Sequence, residues 1–250
     1  ISDETSKKYQ GCTYVLSDDN GIHWSELKKS PVSAPHGPAA LKNGGLLYMG
    51  NPIGEENAKG SGISRLCVYY SPGGESWEFY AEIDTPKSEG TYFCESNVTE
   101  LLDGTLIAHI RVQNGPKKIF CFFQSESHDG GRTWTKLRRI NESGAPPHLL
   151  LHSSGVLIST YGYRLKPYGI RAVLSRDGGE TWSEELVLRS DGFNFDLGYP
   201  SSVELSDGKI LTLYYFKRAP KEPCCVLASV WELPEDFGPA EKTEFEELPE

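Results

Sequence analysis

The sequence predicts an all-β protein built from repeated four-stranded antiparallel units. Two observations predict it: a motif of the form Ser-x-Asp-x-Gly-x-x-Trp recurs along the chain, and a Gly-centred pair of apolar runs alternates with it. The 250 residues, with 38% apolar and 11% aromatic side chains, are enough to bury a large core without disulfides. A disulfide-stapled mini-protein and a disordered chain are both excluded.

The recurring motif, called the box motif below, occurs three times in full. It reads Ser-Asp-Asp-Asn-Gly-Ile-His-Trp at 17–24, Ser-His-Asp-Gly-Gly-Arg-Thr-Trp at 127–134 and Ser-Arg-Asp-Gly-Gly-Glu-Thr-Trp at 175–182. A shorter copy, Ser71 to Trp77, lacks the Asp. Ser and Asp side chains bond nearby backbone amides in a turn, Gly adopts positive φ, and Trp anchors the returning strand. Each copy follows a β-rich run and therefore predicts a hairpin.

We interpret the repeated box positions as structural staples at the rim of the fold, without a role in chemistry. These positions are Ser17, Asp19, Gly21, Trp24, Ser127, Asp129, Gly131, Trp134, Ser175, Asp177, Gly179 and Trp182.

A second repeated element is a strand pair around a Gly turn. Its glycines are Gly44, Gly104, Gly155 and Gly208, spaced 60, 51 and 53 residues apart. Turn glycines and box motifs alternate, so each unit contains two hairpins, which is one four-stranded blade of a β-propeller.

We expect residues 1–250 to form a single propeller domain. Its parts are a half blade at 11–29, full blades at 36–80, 95–140 and 144–189, and a closing partial blade at 198–233. Either both termini close a ring of about five blades, or the chain belongs to a larger propeller and lacks an N-terminal blade.

Composition excludes several function classes. The net charge of −10 disfavours nucleic acid as a partner, and no apolar run is long enough to span a membrane as a helix.

Four cysteines, Cys12, Cys67, Cys121 and Cys225, fall in equivalent strands of different blades, so we expect small buried hydrophobes instead of disulfides. The spacing of Cys and His predicts no metal site, and no cofactor is expected. Ile1 to Gln10 has no targeting pattern, and 241–250 reads as an acidic solvated tail.

The candidate site follows from the repeat. Nine residues before Gly104 lies Glu95, and nine before Gly208 lies Tyr199, so two blades direct these side chains to the axial mouth, where inner strands begin. Arg111 returns to the same end of its hairpin. The next blade supplies a second cation at this mouth, for which Arg164 is the first candidate and Arg171 the alternative. Guanidinium groups beside a Glu and a Tyr suit an anionic ligand, although a core Tyr and a surface ion pair would give the same pattern.

These residues resemble the Asp-box (BNR-repeat) sialidases, or neuraminidases. The segment from Glu95 to Arg111 is similar to the sialidase strand pair that begins with the catalytic Glu and ends with an Arg of the carboxylate-binding triad. The segment 197–202 resembles the one that carries the nucleophilic Tyr, although typical members continue Ser-Asp-Leu where this chain has Pro-Ser-Ser. The family's Arg-Ile-Pro element and its Asp acid/base have no counterpart here.

The resemblance implies a six-bladed propeller that cleaves terminal sialic acid with retention, using Tyr199 as nucleophile, Glu95 as base, and Arg111 with Arg164 or Arg171 as carboxylate ligands. It also implies a glycan or acidic sugar as ligand and a secreted or periplasmic location. The alternative is a non-catalytic, lectin-like propeller. A purely structural propeller would leave the coincidence of Glu95, Arg111 and Tyr199 unexplained.

Overall fold

The computed structural model describes residues 11–52, 64–86, 88–240 and 245 of the chain. Within these ranges the chain forms eighteen strands and no helix, which confirms the predicted all-β class. No helix long and apolar enough to cross a membrane occurs in the part of the chain that the structure describes. Two sequence predictions, on targeting at 1–10 and on the acidic tail, lie outside the described residues except at Phe245.

The strands are, in chain order, β1 (Thr13–Tyr14), β2 (Lys28–Lys29), β3 (Val32–Ser33), β4 (Ala39–Ala40), β5 (Leu46–Pro52), β6 (Leu66–Ser71), β7 (Glu78–Ile83), β8 (Thr91–Glu100), β9 (Leu106–Asn114), β10 (Ile119–Ser127), β11 (Arg138–Arg139), β12 (Pro147–Leu151), β13 (Leu157–Tyr163), β14 (Gly169–Ser175), β15 (Leu186–Arg189), β16 (Gly198–Glu204), β17 (Ile210–Phe216) and β18 (Cys225–Trp231).

The strands form five separate antiparallel sheets among the described residues. β1 and β2 make a hairpin, and β3 to β7 make a five-stranded sheet in which both short strands β3 and β4 pair with β5. β8 to β11 and β12 to β15 are four-stranded sheets of consecutive neighbours, and β16 to β18 form a three-stranded sheet. The assignment of residues 1–250 to a single domain stays a prediction.

The core lies between successive sheets. Side chains of the β5–β6 and β8–β10 region share one apolar cluster, and a second cluster joins β9 and β10 to β12–β14. Strands from the beginning of successive sheets also contact one another, as β5 with β8, β8 with β12 and β12 with β16. Near the contact of β12 with β16, the backbones of the two sheets approach each other closely. A Cβ added at Gly162 of β13 would lie only 2.8 Å from the Cα of Gly198 of β16, so there is no room for a side chain at this position. This convergence of inner strands is the arrangement of propeller blades.

The box turns are held by their own side chains. In the second box, Ser127 Oγ donates to Asp129 Oδ1 at 2.8 Å, and the amides of Gly131 and Thr133 donate to Ser127 Oγ and Asp129 Oδ1 at 2.9 Å each. The Thr133 hydroxyl also donates to Asp129 Oδ2 at 2.7 Å, and this hydrogen bond, followed by those from the Thr133 amide and the Ser127 hydroxyl, lowers the pKa of Asp129 to about 2. Ser127 ends β10 five residues after Phe122, the partner of Arg111. The box therefore lies about 17 Å along the sheet from Arg111.

All six cysteines are free. Cys67 and Cys121 are buried, as the sequence predicts. Cys12, directly before β1, and Cys225, the first residue of β18, are only half-buried, because the hairpin and the last sheet are incompletely covered.

Candidate active site

Glu95 and Tyr199 lie in matching β-bulges. The register of β8 against β9 shifts between Cys94 and Asn97, and that of β16 against β17 shifts between Gly198 and Ser201. Both residues have φ of +49°, a conformation that non-glycine residues adopt rarely and at a cost. A bulge redirects a side chain away from the regular alternation of a strand. The same irregularity at the same repeat offset therefore directs both side chains into one cleft.

The cleft contains a hydrogen-bonded triplet. Tyr199 Oη donates to Glu95 Oε1 at 2.6 Å, and Arg111 Nη1 donates to Glu95 Oε2 at 2.5 Å and to Tyr199 Oη at 3.3 Å. Arg111 Nη2 donates to Gln113 Oε1 at 2.5 Å. The side chains of Arg111 and Glu95 are 11% and 24% exposed, so they are shielded but reachable from solvent.

Burial and the neighbouring carboxylate keep the phenol of Tyr199 neutral. Its partial burial, the hydrogen bond to Glu95 and the charge of Glu95 together raise the pKa of Tyr199 to about 12, against the opposing effect of Arg111 and Arg164. At neutral pH the hydroxyl therefore carries its proton, and attack by its oxygen requires a base. Glu95 Oε1 is the atom that already accepts this hydrogen bond.

Arg164 faces the same cleft from the loop after β13. Its Cζ lies 5.1 Å from the ring centroid of Phe120 and 6.0 Å from that of Tyr199, while Arg111 Cζ lies 4.8 Å from the Phe120 centroid. Arg164 Nε donates to the Leu197 carbonyl at 3.2 Å. Both guanidinium groups thus contact Phe120, close to the Tyr199 hydroxyl.

Arg171, the competing candidate, is buried and donates to backbone carbonyls. It is 4% exposed on β14 and donates to the carbonyls of Ile170, Pro167 and Arg189. A guanidinium held by three backbone carbonyls braces the chain around it, which leaves Arg171 fewer donors for a ligand. Of the two alternatives from the sequence, the geometry favours Arg164.

Several residues that lie near Tyr199 and Arg111 were not predicted from the sequence. Tyr215 lies beside Tyr199, with ring centroids 6.0 Å apart, and its hydroxyl donates to Asp196 Oδ1 at 3.0 Å. The repeat contains a signal for Tyr215, because it follows Gly208 by seven residues, as Arg111 follows Gly104. Phe120 and Gln113 carry no such signal. Their position depends on how β9 and β10 pair.

Two histidines follow the equivalents of Glu95 in the other blades. His36 comes after Pro35 and His148 after Pro146, and their rings meet edge to face at 4.9 Å. Burial lowers the pKa of His36 to about 4 and that of His148 to about 3, so both are neutral at neutral pH. Among the described residues, no group of three or more His, Cys, Asp or Glu could hold a metal ion.

Comparisons with known proteins identify the family. A model of the BNR repeat-like domain matches residues 2–212. A curated relative, the anhydrosialidase of Macrobdella decora, is 28% identical over 132 residues, which cover 48% of this chain and 16% of that protein. The chain therefore spans about a sixth of the curated relative that it matches.

Solved structures agree on the fold. A protein of unknown function from Dyadobacter fermentans has a TM-score of 0.74 and 25% identity, covering 94% of this chain and 70% of its own. The Hadza microbial sialidase Hz136 has a TM-score of 0.60 at 18% identity, over 90% of this chain and 52% of its own. The α-L-arabinofuranosidase of Fusarium graminearum has a TM-score of 0.59 at 16% identity, over 80% and 62%. The chain belongs to the BNR repeat-like domain family and has the β-propeller fold found in sialidases and related glycoside hydrolases.

Proposed function

We propose that the protein is a retaining glycoside hydrolase that removes a terminal sialic acid or a related acidic sugar. The observation that carries this proposal is the 2.6 Å hydrogen bond from Tyr199 to Glu95 in a cleft that also contains two guanidinium groups. A nucleophile hydrogen-bonded to a base, with cations beside both, is the arrangement that covalent catalysis on an anionic substrate requires.

The chemistry proceeds in two displacements. Tyr199 Oη attacks the anomeric carbon while its proton passes to Glu95 Oε1. The bond from that carbon to the leaving oxygen breaks, and this oxygen takes a proton from a general acid. Water then attacks the same carbon and gives a proton to the conjugate base of that acid, the bond to Tyr199 breaks, and the phenolate regains the proton that Glu95 holds.

The charge of the substrate explains the choice of nucleophile. A sialic acid bears a carboxylate on its anomeric carbon, which would repel an attacking Asp or Glu, whereas a neutral phenol approaches without that penalty. Arg111 and Arg164 suit this carboxylate because a guanidinium offers two parallel donors. Nη1 of Arg164 makes no hydrogen bond to any residue that the structure describes, which leaves a donor for the ligand.

We also infer that the propeller of the whole protein has a further blade between β16–β18 and the β1–β2 hairpin. The support is an exposed apolar surface at both places. Trp24 on the hairpin is 60% exposed, and Val203, Val226 and Val230 on the last sheet are all more than half exposed.

The family resemblance further supports a secreted or periplasmic location, which fractionation of the producing cells would test.

The decisive experiment compares the full-length protein with its Tyr199→Phe variant on a chromogenic sialoside, and on neutral, uronic acid and arabinofuranosyl glycosides. We expect turnover of the sialoside alone, reduced by several orders of magnitude in Tyr199→Phe with binding retained. Tyr80→Phe, remote on β7, is the matched control and should keep full activity. Equal activity of wild type and Tyr199→Phe would refute the mechanism, and saturable binding without turnover would indicate the lectin-like alternative.

A further inference from the structure

Phe120, the second residue of β10, contacts a cation from each of two neighbouring sheets. Arg111 belongs to β9 and Arg164 follows β13, and their Cζ atoms lie over the Phe120 ring, at 4.8 Å and 5.1 Å from its centroid. The two positive charges are therefore close neighbours, because the distance between them cannot exceed the sum of these two distances.

The strand register explains why this ring lies between the two cations. Phe122 of β10 is paired with Arg111 of β9, and Phe120 is two residues from Phe122, so all three side chains lie on the same face of the sheet. On this face the Phe122 ring packs against Tyr161 of β13, with ring centroids 5.1 Å apart. The face is therefore turned towards the sheet that supplies Arg164.

The two guanidinium groups differ in their counter-charges. Arg111 forms an ion pair with Glu95, whereas Arg164 forms no ion pair with any residue that the structure describes and donates only to a carbonyl and a hydroxyl. Like charges at short range repel each other. The face of an aromatic ring carries partial negative charge and attracts cations, most strongly where water is excluded. The Phe120 ring thus offsets the repulsion between the two cations.

An aromatic ring does this without consuming what a ligand needs. It contacts the face of a guanidinium, whose N–H donors lie in the plane of the group and stay available for hydrogen bonds. A carboxylate at the position of Phe120 would accept those N–H groups and would repel an anionic ligand. The ring therefore holds both cations and leaves their positive charge to the ligand.

We propose that Phe120 is a positioning residue that holds Arg111 and Arg164 side by side, so that both bind the carboxylate of the acidic sugar. The proposal rests on the proposed function, because it takes an acidic sugar to be the ligand of the cleft. The ring has no proton to transfer and no charge to place on the reacting carbon. Its effect is therefore expected on the affinity for the substrate and not on the bond-breaking step.

The first test changes the charge of the ring face and keeps the shape of the ring. Fluorine withdraws electrons from the face, so mono-, di- and trifluorophenylalanine at position 120 of the full-length protein weaken its attraction for cations stepwise. We expect KM for a chromogenic sialoside to rise at each step and kcat to stay within about twofold. For the trifluoro ring the rise in KM should be about tenfold, or about 1.4 kcal/mol, which lies within the range of cation–π contacts.

Phe237 provides the matched control. Its ring lies under the guanidinium of Arg176, with the Cζ atom 4.0 Å from the centroid, and Arg176 belongs to the third box motif, away from the cleft. The same fluorinated series at position 237 should leave KM unchanged. A constant KM throughout the Phe120 series would overturn the proposal, because packing alone does not depend on the charge of the ring face.

The second test requires neither a sugar nor catalysis. Phenylglyoxal modifies accessible arginines, and mass spectrometry of the digested protein gives the rate at each one. Phe120→Leu keeps an apolar side chain but removes the ring face, so we expect modification of Arg164 to become about threefold faster and that of Arg176 to stay unchanged. Phe237→Leu should accelerate Arg176 and leave Arg164 unchanged. An unchanged rate at Arg164 in Phe120→Leu would overturn the proposal.

Together the tests separate the role of Phe120 from the proposed function. If no glycoside is hydrolysed but Arg164 reacts faster in Phe120→Leu, the hydrolase fails while the positioning of Arg164 by Phe120 stands. If the sialoside is hydrolysed but neither KM nor the reactivity of Arg164 responds to the changes at position 120, the positioning role is wrong and the hydrolase stands.

Discussion

The two ends of the sheets use one repeat in opposite ways. At the box end, every full copy places Ser, Asp and Gly in the same turn. The Ser hydroxyl donates to the Asp and accepts from the Gly amide, and the Asp accepts from the amide four residues later. At the mouth, one offset gives Glu95 and Tyr199 in two blades and Pro35 and Pro146 in the others. Positions that repeat hold the fold, and positions that depart from the repeat supply candidate chemistry.

A similar contrast separates the first box from the third. In both, a Ser hydroxyl bonds the Asp of its own turn. The Trp environments differ: Trp24 is 60% exposed, whereas Trp182 is 8% exposed and donates to Gln124 of the preceding sheet at 2.9 Å. The turn is therefore a local structure, while the anchoring of its Trp depends on a neighbouring blade.

The largest expected effect tests this difference in anchoring. Trp182→Ala should lower the free energy of unfolding by about 3–5 kcal/mol, because it leaves a cavity between two sheets and removes one hydrogen bond to Gln124. Trp24→Ala in the same 250-residue chain should change the free energy of unfolding by less than about 0.5 kcal/mol, as expected for an exposed side chain. Urea unfolding of both variants measures the two values.

Equal losses in the two variants would show that the Trp stabilises its own turn and would break the comparison. In a longer polypeptide with a blade packed on Trp24, the cost of Trp24→Ala should rise towards that of Trp182→Ala, which also tests the proposed additional blade.

A smaller effect concerns the carboxylate of the box. The pKa of Asp129 is lowered to about 2, below its value of about 3.9 in an unfolded chain. The stability that Asp129 contributes is therefore present above about pH 4 and is lost as the pH falls to about 2. Asp129→Asn should lower the urea midpoint at pH 7, and this difference from wild type should shrink between pH 4 and pH 2.

Asp18, an exposed residue of the first box that makes no hydrogen bond to a described residue, provides the control, since Asp18→Asn should leave the urea midpoint unchanged. A difference between Asp129→Asn and wild type that stays constant down to pH 2 would exclude the ionised carboxylate as the source of that stability.

The repeat made much of this fold predictable, because strand order and hairpin length follow directly from the spacing of Gly turns and box motifs. It also brought Glu95 and Tyr199 to one end of their blades. It did not show that each lies in a bulge, since a register shift depends on the pairing of two strands. It could not separate Arg164 from Arg171 either, because their difference arises from backbone carbonyls of distant residues that only the folded chain brings near.

The smallest expected effect comes from removing one hydroxyl group from either of two adjacent tyrosines, Tyr215 and Tyr214. Tyr215 faces the mouth, where its hydroxyl bonds Asp196 and accepts from Arg164 Nη2 at 3.4 Å, whereas the Tyr214 hydroxyl bonds Ser229 inside the last sheet at 2.6 Å. Each Phe substitution removes a hydroxyl whose net contribution is about 1 kcal/mol. Tyr215→Phe should loosen Arg164 and raise KM for a sialoside about fivefold with little change in the free energy of unfolding. Tyr214→Phe should lower that free energy and leave KM unchanged. Steady-state kinetics measure KM, and urea unfolding measures the free energy of unfolding, for both variants. If KM rises equally in both, the packing inside the last sheet also affects the residues at the mouth, and the comparison fails.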